Sequence, residues 1–211
     1  FYRLWQKEWI SRVVKEEVTS ISGLRDLNLL EILAEILPEK VGNPLSIKSL
    51  REDLEVDHKT VVRWLEVFES LFVCFRVAPF ASKKLRAVKQ EQKLYLWDWS
   101  RVSNPGYRFE NLVASQLLKY CNLLEDTEGY KMELRYFRDT DSREVDFVVL
   151  KDKKPVFAVE CKLGDKAISP HLHYLSERSD IPDLYQVHLG TDHYKKNSIE
   201  VMPFIEFCKK L

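Results

Sequence analysis

Hydrophobic residues recur every three or four positions through the first part of the chain, which is the periodicity of amphipathic helices. Glycine is scarce there, and the breaks fall at a Ser-Gly pair, at Pro44 and at a short acidic turn before His58. The predicted helices or helical runs are Phe1–Val18, Leu24–Leu37, Ile47–Leu54 and His58–Ser70. Asp57 is the expected N-cap of the last helix, because its carboxylate can accept a hydrogen bond from a first-turn N–H group.

Two short segments rich in aromatic and β-branched residues follow these helices, at Leu71–Val77 and Lys93–Trp97. Such segments favour strands, and here they fit a β-ribbon. The order helix, short helix, turn, helix and ribbon is that of a winged helix-turn-helix. We therefore predict a winged-helix domain over residues 24–100, preceded by a separate linking helix over residues 1–23.

The pattern changes after the turn-rich joint around Asn104 to an alternation of helices and strands, which predicts an α/β domain over residues 101–211. The predicted helices are Tyr107–Leu124, Pro170–Arg178 and Phe204–Lys210. The predicted strands are Leu134–Arg138, Arg143–Leu150, Val156–Lys162 and Leu184–Leu189. The whole chain is thus expected to be α/β, or α+β overall, with a mixed sheet flanked by helices.

Composition narrows the class of protein. The 33 Lys and Arg residues balance 33 Asp and Glu residues, which excludes a binder drawn to nucleic-acid phosphates by its overall charge. A hydrophobic fraction of 45% excludes intrinsic disorder, and no apolar run is long enough to span a membrane. The four cysteines are far apart in the sequence, which indicates free thiols in a reducing cytoplasm.

Acidic residues in apolar segments are the strongest chemical signal. Asp146 interrupts an apolar strand, and Glu160 and Lys162 end another, on the same face of that strand. Glu110 lies in the middle of the apolar stripe of its predicted helix. Buried carboxylates need a partner or a metal, and oxygen ligands suit Mg²⁺ or Mn²⁺. We therefore predict a site made of Glu110, Asp146, Glu160 and Lys162.

The spacing of Asp146 and Glu160-Cys161-Lys162 resembles the D…(D/E)xK signature of the PD-(D/E)xK, restriction-endonuclease-like nucleases. Longer segments resemble the C-terminal domain of unknown function of prokaryotic AAA-type ATPases, in which a P-loop ATPase precedes a winged helix and a nuclease-like domain. Those segments are Phe109-Glu110-Asn111-Leu112-Val113, Glu144-Val145-Asp146-Phe147-Val148, Val159-Glu160-Cys161-Lys162 and Pro203-Phe204-Ile205-Glu206-Phe207.

The resemblance implies a metal held by Asp146, Glu160 and the Cys161 carbonyl, with Glu110 nearby and Lys162 positioning the attacking water. It also implies an ATPase module that binds ATP, although no GxxxxGK[ST] motif occurs in this sequence. The missing motif and the missing initiator Met lead us to expect that the chain is the C-terminal part of a longer protein.

The leading functional prediction is a divalent-metal-dependent hydrolase of nucleic-acid phosphodiesters, with DNA as the favoured substrate and RNA as a second one. The alternative is a catalytically inactive DNA-binding or regulatory accessory region of the ATPase, in which the acid–lysine cluster is only an ion-pair network. A module that only positions its ATPase through protein contacts is the third interpretation. The apolar stripe of Phe1–Val18 could pack on the ATPase module or support a homodimer.

Two sets of basic residues are candidates for nucleic-acid contact. Lys59 and Arg63 lie on the exposed face of the predicted recognition helix, where neighbouring acidic residues oppose phosphate binding. A rigid connector between domains is the alternative role of that helix. The expected wing loop carries Lys83, Lys84, Arg86, Lys89 and Lys93. A solvated, charged loop is the plainer interpretation of that run.

Overall fold

The computed structural model describes residue 12 and residues 27–80 and 91–211. Six α-helices in these ranges are α1 (Leu27–Ile36), α2 (Ile47–Leu54), α3 (His58–Ser70), α4 (Pro105–Glu128), α5 (Pro170–Arg178) and α6 (Phe204–Cys208). The strands are β1 (Cys74–Pro79), β2 (Lys93–Leu96), β3 (Met132–Arg138), β4 (Glu144–Lys151), β5 (Lys154–Lys162), β6 (Asp183–His188), β7 (Tyr194–Lys196) and β8 (Ile199–Pro203). Short 3₁₀ turns span Leu37–Lys40 and Trp99–Arg101.

The strands form one mixed eight-stranded sheet in the order β2-β1-β3-β4-β5-β6-β8-β7. The pairs β3–β4 and β4–β5 are antiparallel, whereas β5–β6 and β6–β8 are parallel. The parallel pairs need a connection that crosses over the sheet, and α5 lies on the connection from β5 to β6. The predicted combination of helices with a mixed sheet is confirmed at this level.

Local sequence explains the first helices well. The predicted bounds of α2 and α3 agree with the structure, and Asp57 caps α3 as expected, accepting hydrogen bonds from the N–H groups of Lys59 and Thr60 at 2.8 and 3.0 Å. Helix α2 ends at Glu55, which adopts a left-handed conformation with φ 54°. Three local signals therefore set this helix pair, namely the N-caps Ser46 and Asp57 and the left-handed turn at Glu55.

The two strands predicted as a ribbon pair antiparallel with each other and also join the main sheet. Ala78 and Pro79 of β1 pair in parallel with Arg135 and Tyr136 of β3. One continuous cluster of buried side chains extends from α1 to β8 across the predicted boundary near residue 100. Strands β1 and β2 thereby connect the first half of the chain to the sheet of the second.

Helix α4 begins at the N-cap Asn104 and ends at Gly129, whose φ of 74° favours glycine. It packs on one face of the sheet, with contacts to β2, β3, β4 and β5. Helix α5 covers the opposite face over a second apolar cluster that includes Leu172 and Leu175. The sheet is therefore covered on both faces, which explains why its central strands are apolar on both sides.

Strands β7 and β8 were not predicted. The three residues of β7 are all exposed, so β7 carries no apolar alternation to reveal it, whereas β8 is largely buried and pairs with β6. Helix α6 ends at Cys208, two residues earlier than predicted. The predicted linking helix over 1–23 lies outside the described residues, apart from residue 12, which is helical.

Candidate functional site

The four predicted catalytic residues, Glu110, Asp146, Glu160 and Lys162, line one open cleft with a volume of ≈ 410 Å³. The strands β4 and β5 form its floor, and the first turn of α4 and the loop around Gly42 form its walls. The other lining residues are Gly42, Asn43, Asn104, Gly106, Tyr107, Arg138, Glu144 and Cys161. The chain thus brings acids from three separate segments into one space.

Strand register places Asp146 beside Glu160. The last paired residues of β4 and β5 are Phe147 and Val159, and the two acids lie one position beyond them. The carboxylate of Asp146 turns across the gap, where Oδ2 accepts a hydrogen bond from the N–H of Cys161 at 2.8 Å. Lys162 donates to Glu160 Oε1 at 2.6 Å. The end of the strand pair therefore exposes two carboxylates and an ammonium to the cleft.

Glu110 reaches the same cleft from the buried side of α4, with 7% of its surface exposed. Its Oε1 accepts hydrogen bonds from Tyr95 Oη at 2.7 Å and from Lys93 Nζ at 3.1 Å. Both donors belong to β2, in the first half of the chain. Glu110 is therefore oriented by β2.

The prediction that Lys93 belongs to a basic, solvated wing loop is wrong. Its side chain is fully buried, and Nζ lies 2.5 Å from Glu144 Oε1 and 4.0 Å from Asp146 Oδ1, besides its bond to Glu110. All four residues of the strand Lys93–Leu96 are buried, so the apolar residues that follow Lys93 indicate its environment better than the basic residues that precede it. Lys93 is a member of the cleft cluster, and its ammonium cannot meet phosphate in solution.

Burial raises the pKa values of three of the cleft carboxylates, and neighbouring charges modify that effect. Burial, and next the negative charge of Asp146, raise the pKa of Glu110 to about 7, against the lowering effect of Lys93. The same two causes raise the pKa of Glu160 to about 8, against Lys162. Burial also raises the pKa of Asp146, although Lys93 opposes it. Burial and mutual repulsion therefore disfavour the ionised forms of these acids, and a further cation in the cleft would favour them.

A metal fits this cleft only in part. We expected the carboxylates of Glu110, Asp146 and Glu160 to converge on one cation. Within residues 27–80 and 91–211, however, no group of three or more His, Cys, Asp or Glu side chains is arranged to hold a metal ion. Glu110 turns to Lys93 and Tyr95 instead.

The remaining donors are suitable for one hard cation. Glu160 Oε2 is buried and, in the described part of the chain, has no hydrogen-bond partner. Together with Asp146 and the Cys161 carbonyl it is an oxygen donor set, and Mg²⁺ retains several waters, so two acids suffice. The thiol of Cys161 is not a suitable ligand in its neutral form, because burial raises its pKa well above the usual value.

The predicted nucleic-acid contacts lie elsewhere. Lys59 and Arg63 are exposed on α3 and do not line the cleft. Glu69, one of the acidic residues of the same helix, accepts two hydrogen bonds from Arg76, at 2.7 and 2.6 Å. Asp57, a further acidic residue, is the helix cap. Lys83, Lys84, Arg86 and Lys89 lie outside the described residues.

Sequence reasoning missed four members of the cluster: Lys93, Tyr95, Arg138 and Glu144. Glu144 lies two residues before Asp146 on β4, so strand alternation could have placed both on one face. Arg138 Nη1 lies 3.2 Å from Glu144 Oε2. Lys93 and Tyr95 carried no such signal, because the contact of β2 with α4 is tertiary.

Comparison with known proteins gives two domain matches and one distant relative. An uncharacterized protein of Methanocaldococcus jannaschii is 24% identical over 170 residues, which cover 75% of this chain and 36% of that protein. The chain therefore spans about a third of the length of this relative. No solved structure gave a significant match. Among the described residues, no helix has the length and apolar character that crossing a bilayer requires.

The two domain matches adjoin at residue 104, directly before α4, although the cleft draws residues from both sides of that position. Lys93 and Tyr95 fall in the first match, and the predicted catalytic residues fall in the second. Residues 2–103 match the model of one domain of unknown function, DUF8612, and residues 105–207 match the model of a second, DUF4143.

Proposed function

We propose that the cleft hydrolyses nucleic-acid phosphodiesters with the help of one divalent cation, Mg²⁺ or Mn²⁺. The observation that carries this proposal is the juxtaposition of Asp146, Glu160 and Lys162 at the end of one strand pair. Two carboxylates can hold a metal ion that activates water, and a neighbouring ammonium can stabilise the negative charge of the phosphodiester during attack. The resemblance to PD-(D/E)xK nucleases points to the same residues.

Asp146, Glu160 and the Cys161 carbonyl would hold the cation. When bound, a divalent ion polarises a phosphate oxygen and lowers the pKa of a coordinated water. Glu110 stays outside this set and acts on it through charge.

The residues of the chain have separate tasks in this proposal. Lys162, with 33% of its side chain exposed, can leave Glu160 and orient the attacking water or balance charge on the phosphate. The bond from Cys161 N–H holds the carboxylate of Asp146 in place. The open cleft admits a backbone phosphate from solvent, which an enclosed cavity would exclude.

The proposal also includes an ATPase module that would work together with the cleft. The resemblance to the C-terminal region of AAA-type ATPases suggests that ATP turnover in another part of the protein accompanies cleavage. The winged-helix interpretation of α2, α3, β1 and β2 suggests DNA as the substrate, with RNA as a second candidate. Cytoplasmic location and contact with the ATPase module belong to the same proposal.

One observation favours a second function. Lys93 already places a positive charge among Glu110, Glu144 and Asp146, so the cluster is partly neutralised without any metal. An inactive accessory region of an ATPase would keep such an ion-pair network for structural reasons. The two functions differ in what occupies the space between Asp146 and Glu160. Glu160 Oε2 is buried there and has no hydrogen-bond partner in the described part of the chain.

A cleavage assay distinguishes the two functions. Plasmid, single-stranded and branched DNA are incubated with the chain and Mn²⁺, beside Asp146→Asn and the control Asp165→Asn, which alters a carboxylate outside the cleft. We expect cleavage by the wild type and by Asp165→Asn, and none by Asp146→Asn. Intact DNA at high protein concentration in every sample would favour the accessory function.

A further inference from the structure

Lys93 differs from Lys162, the other lysine of the cleft, in its exposure to solvent. Lys162 is partly exposed, whereas the side chain of Lys93 has no exposed surface. A buried ammonium cannot touch a phosphate that enters from solvent. Its interactions are confined to the cluster itself, namely the carboxylates of Glu110, Glu144 and Asp146 and the ring of Tyr136, whose centroid is 5.5 Å away.

The backbone of Lys93 is held firmly. It pairs with Val77 of β1 and forms an isolated bridge with Pro44 on its other side. The neighbouring Leu96 is bound by the buried side chain of Asn111, which ties β2 to α4. The backbone of Lys93 thus holds its side chain at the cleft, where the ammonium contacts the three carboxylates.

Three carboxylates around one positive charge are the chemical surroundings of a divalent cation in other sites. A tethered ammonium in this position supplies one positive charge and occupies the space that an ion would need. It also repels a second cation nearby. The two sides of the cleft therefore differ. Lys93 balances the negative charge of Glu110 and Glu144, whereas Asp146 and Glu160 remain available to bind a metal ion.

We propose that Lys93 is a positioning residue whose ammonium takes the place of a second divalent cation and limits the cleft to one metal ion. The inference deepens the proposed function and rests on it for the ion at Asp146 and Glu160. With the ammonium in place, Glu110, Glu144 and Asp146 form no group that could hold a metal ion, and removing it should let their carboxylates close around a second cation.

The test counts bound Mn²⁺ per chain from the electron paramagnetic resonance signal of free Mn²⁺. The wild type is compared with Lys93→Met, which keeps the length of the apolar stem, and with Lys166→Met, an exposed lysine outside the cleft. We expect one ion on the wild type and on Lys166→Met, and two on Lys93→Met. Adding Glu144→Gln to Lys93→Met should weaken the extra ion about tenfold or more and leave the first unchanged.

Loss of a buried charge can also unfold a protein, so thermal unfolding is measured with a chelator and with Mn²⁺. Refolding of Lys93→Met on addition of Mn²⁺ would support the inference, because the divalent charge then replaces the ammonium. The double variant Lys93→Met/Glu144→Gln keeps the net charge of the cluster and permits the same count. A Lys93→Met chain that stays unfolded with Mn²⁺ would overturn the inference if the double variant also binds no second ion at about a hundredfold more Mn²⁺ than fills the first position.

The counts separate this inference from the proposed function. One ion on both the wild type and Lys93→Met contradicts the role of Lys93 and leaves the metal at Asp146 and Glu160 standing. No ion on the wild type and one on Lys93→Met contradicts the proposed metal-dependent function and supports the role of Lys93. No ion on either protein contradicts both.

Discussion

The side-chain amide of Asn111 makes two hydrogen bonds with the backbone of Leu96, accepting from its N–H at 2.9 Å and donating to its carbonyl at 2.7 Å. Leu96 belongs to β2, the edge strand of the sheet, and Asn111 lies on α4. The same strand carries Lys93 and Tyr95, and the same helix carries Glu110. This pair therefore joins the two halves of the chain at the point where they assemble the cleft.

Replacing Asn111 with Leu should destabilise the protein strongly. Two buried backbone groups of Leu96 would lose their partners, at about 1–3 kcal/mol each. The measurement is the free energy of unfolding in urea, with Asn122→Leu on the exposed side of the same helix as the control. A similar loss in both variants would mean that the amide of Asn111 has no special role.

Gly42 sets the wall of the cleft opposite Glu110. Its φ is 78°, and a Cβ there would collide with the ring of Tyr107 and lie 3.3 Å from Glu110 Oε2. Gly42→Ala should therefore lower the midpoint of thermal unfolding and disturb the cleft, at a cost of about 1–3 kcal/mol.

The control for Gly42 is Gly164→Ala, just beyond β5, where an added Cβ meets no atom within 4 Å. We expect that variant to unfold close to the wild-type temperature. Equal effects of the two alanines would show that the contact of Gly42 with Tyr107 does not constrain the fold.

Local sequence patterns predicted the helices α2 and α3 and the carboxylates of β4 and β5 because their signals lie within a few residues. Helix caps and strand alternation are of that kind, and they account for Asp57, Asp146 and Glu160. The place of Lys93 depends on β2 packing against α4, which is a contact between residues 17 positions apart with no local signature. Its position beside a basic run in the sequence suggested a loop, and tertiary burial decided otherwise.

The raised pKa values of Glu110 and Glu160 predict a pH dependence of stability in metal-free buffer. Both acids bind their protons more tightly in the folded state than in the unfolded chain, at pKa values of about 7 and about 8. Their contribution is fully present below the pKa of the unfolded chain, and stability should fall as pH rises from about 5 to about 8. Denaturant unfolding at several pH values, with a chelator present, measures this.

Glu160→Gln should flatten that profile, because the amide cannot ionise. Glu128→Gln, at the exposed end of α4, should leave it unchanged. Stability that rises with pH through this interval would show that the cluster is better compensated than its pKa values indicate.

The winged-helix interpretation of α3 makes a prediction about salt. If Lys59 and Arg63 contact phosphates, the double variant Lys59→Ala/Arg63→Ala should bind duplex DNA more weakly. The slope of log affinity against log salt should also become less steep by about two. Lys119→Ala, exposed on α4, is the control. An unchanged slope would favour the role of α3 as a connector.

The most direct test of the proposed hydrolysis is the single-turnover cleavage rate of Lys162→Met on a labelled DNA substrate with saturating Mn²⁺. The substitution removes the ammonium and leaves the donors Asp146 and Glu160 in place, so calorimetry should still detect Mn²⁺ binding. We expect the cleavage rate to fall by about 10²–10⁴-fold, while Lys166→Met cleaves at the wild-type rate. Cleavage by Lys162→Met at the wild-type rate, or no cleavage by the wild type, would contradict the account.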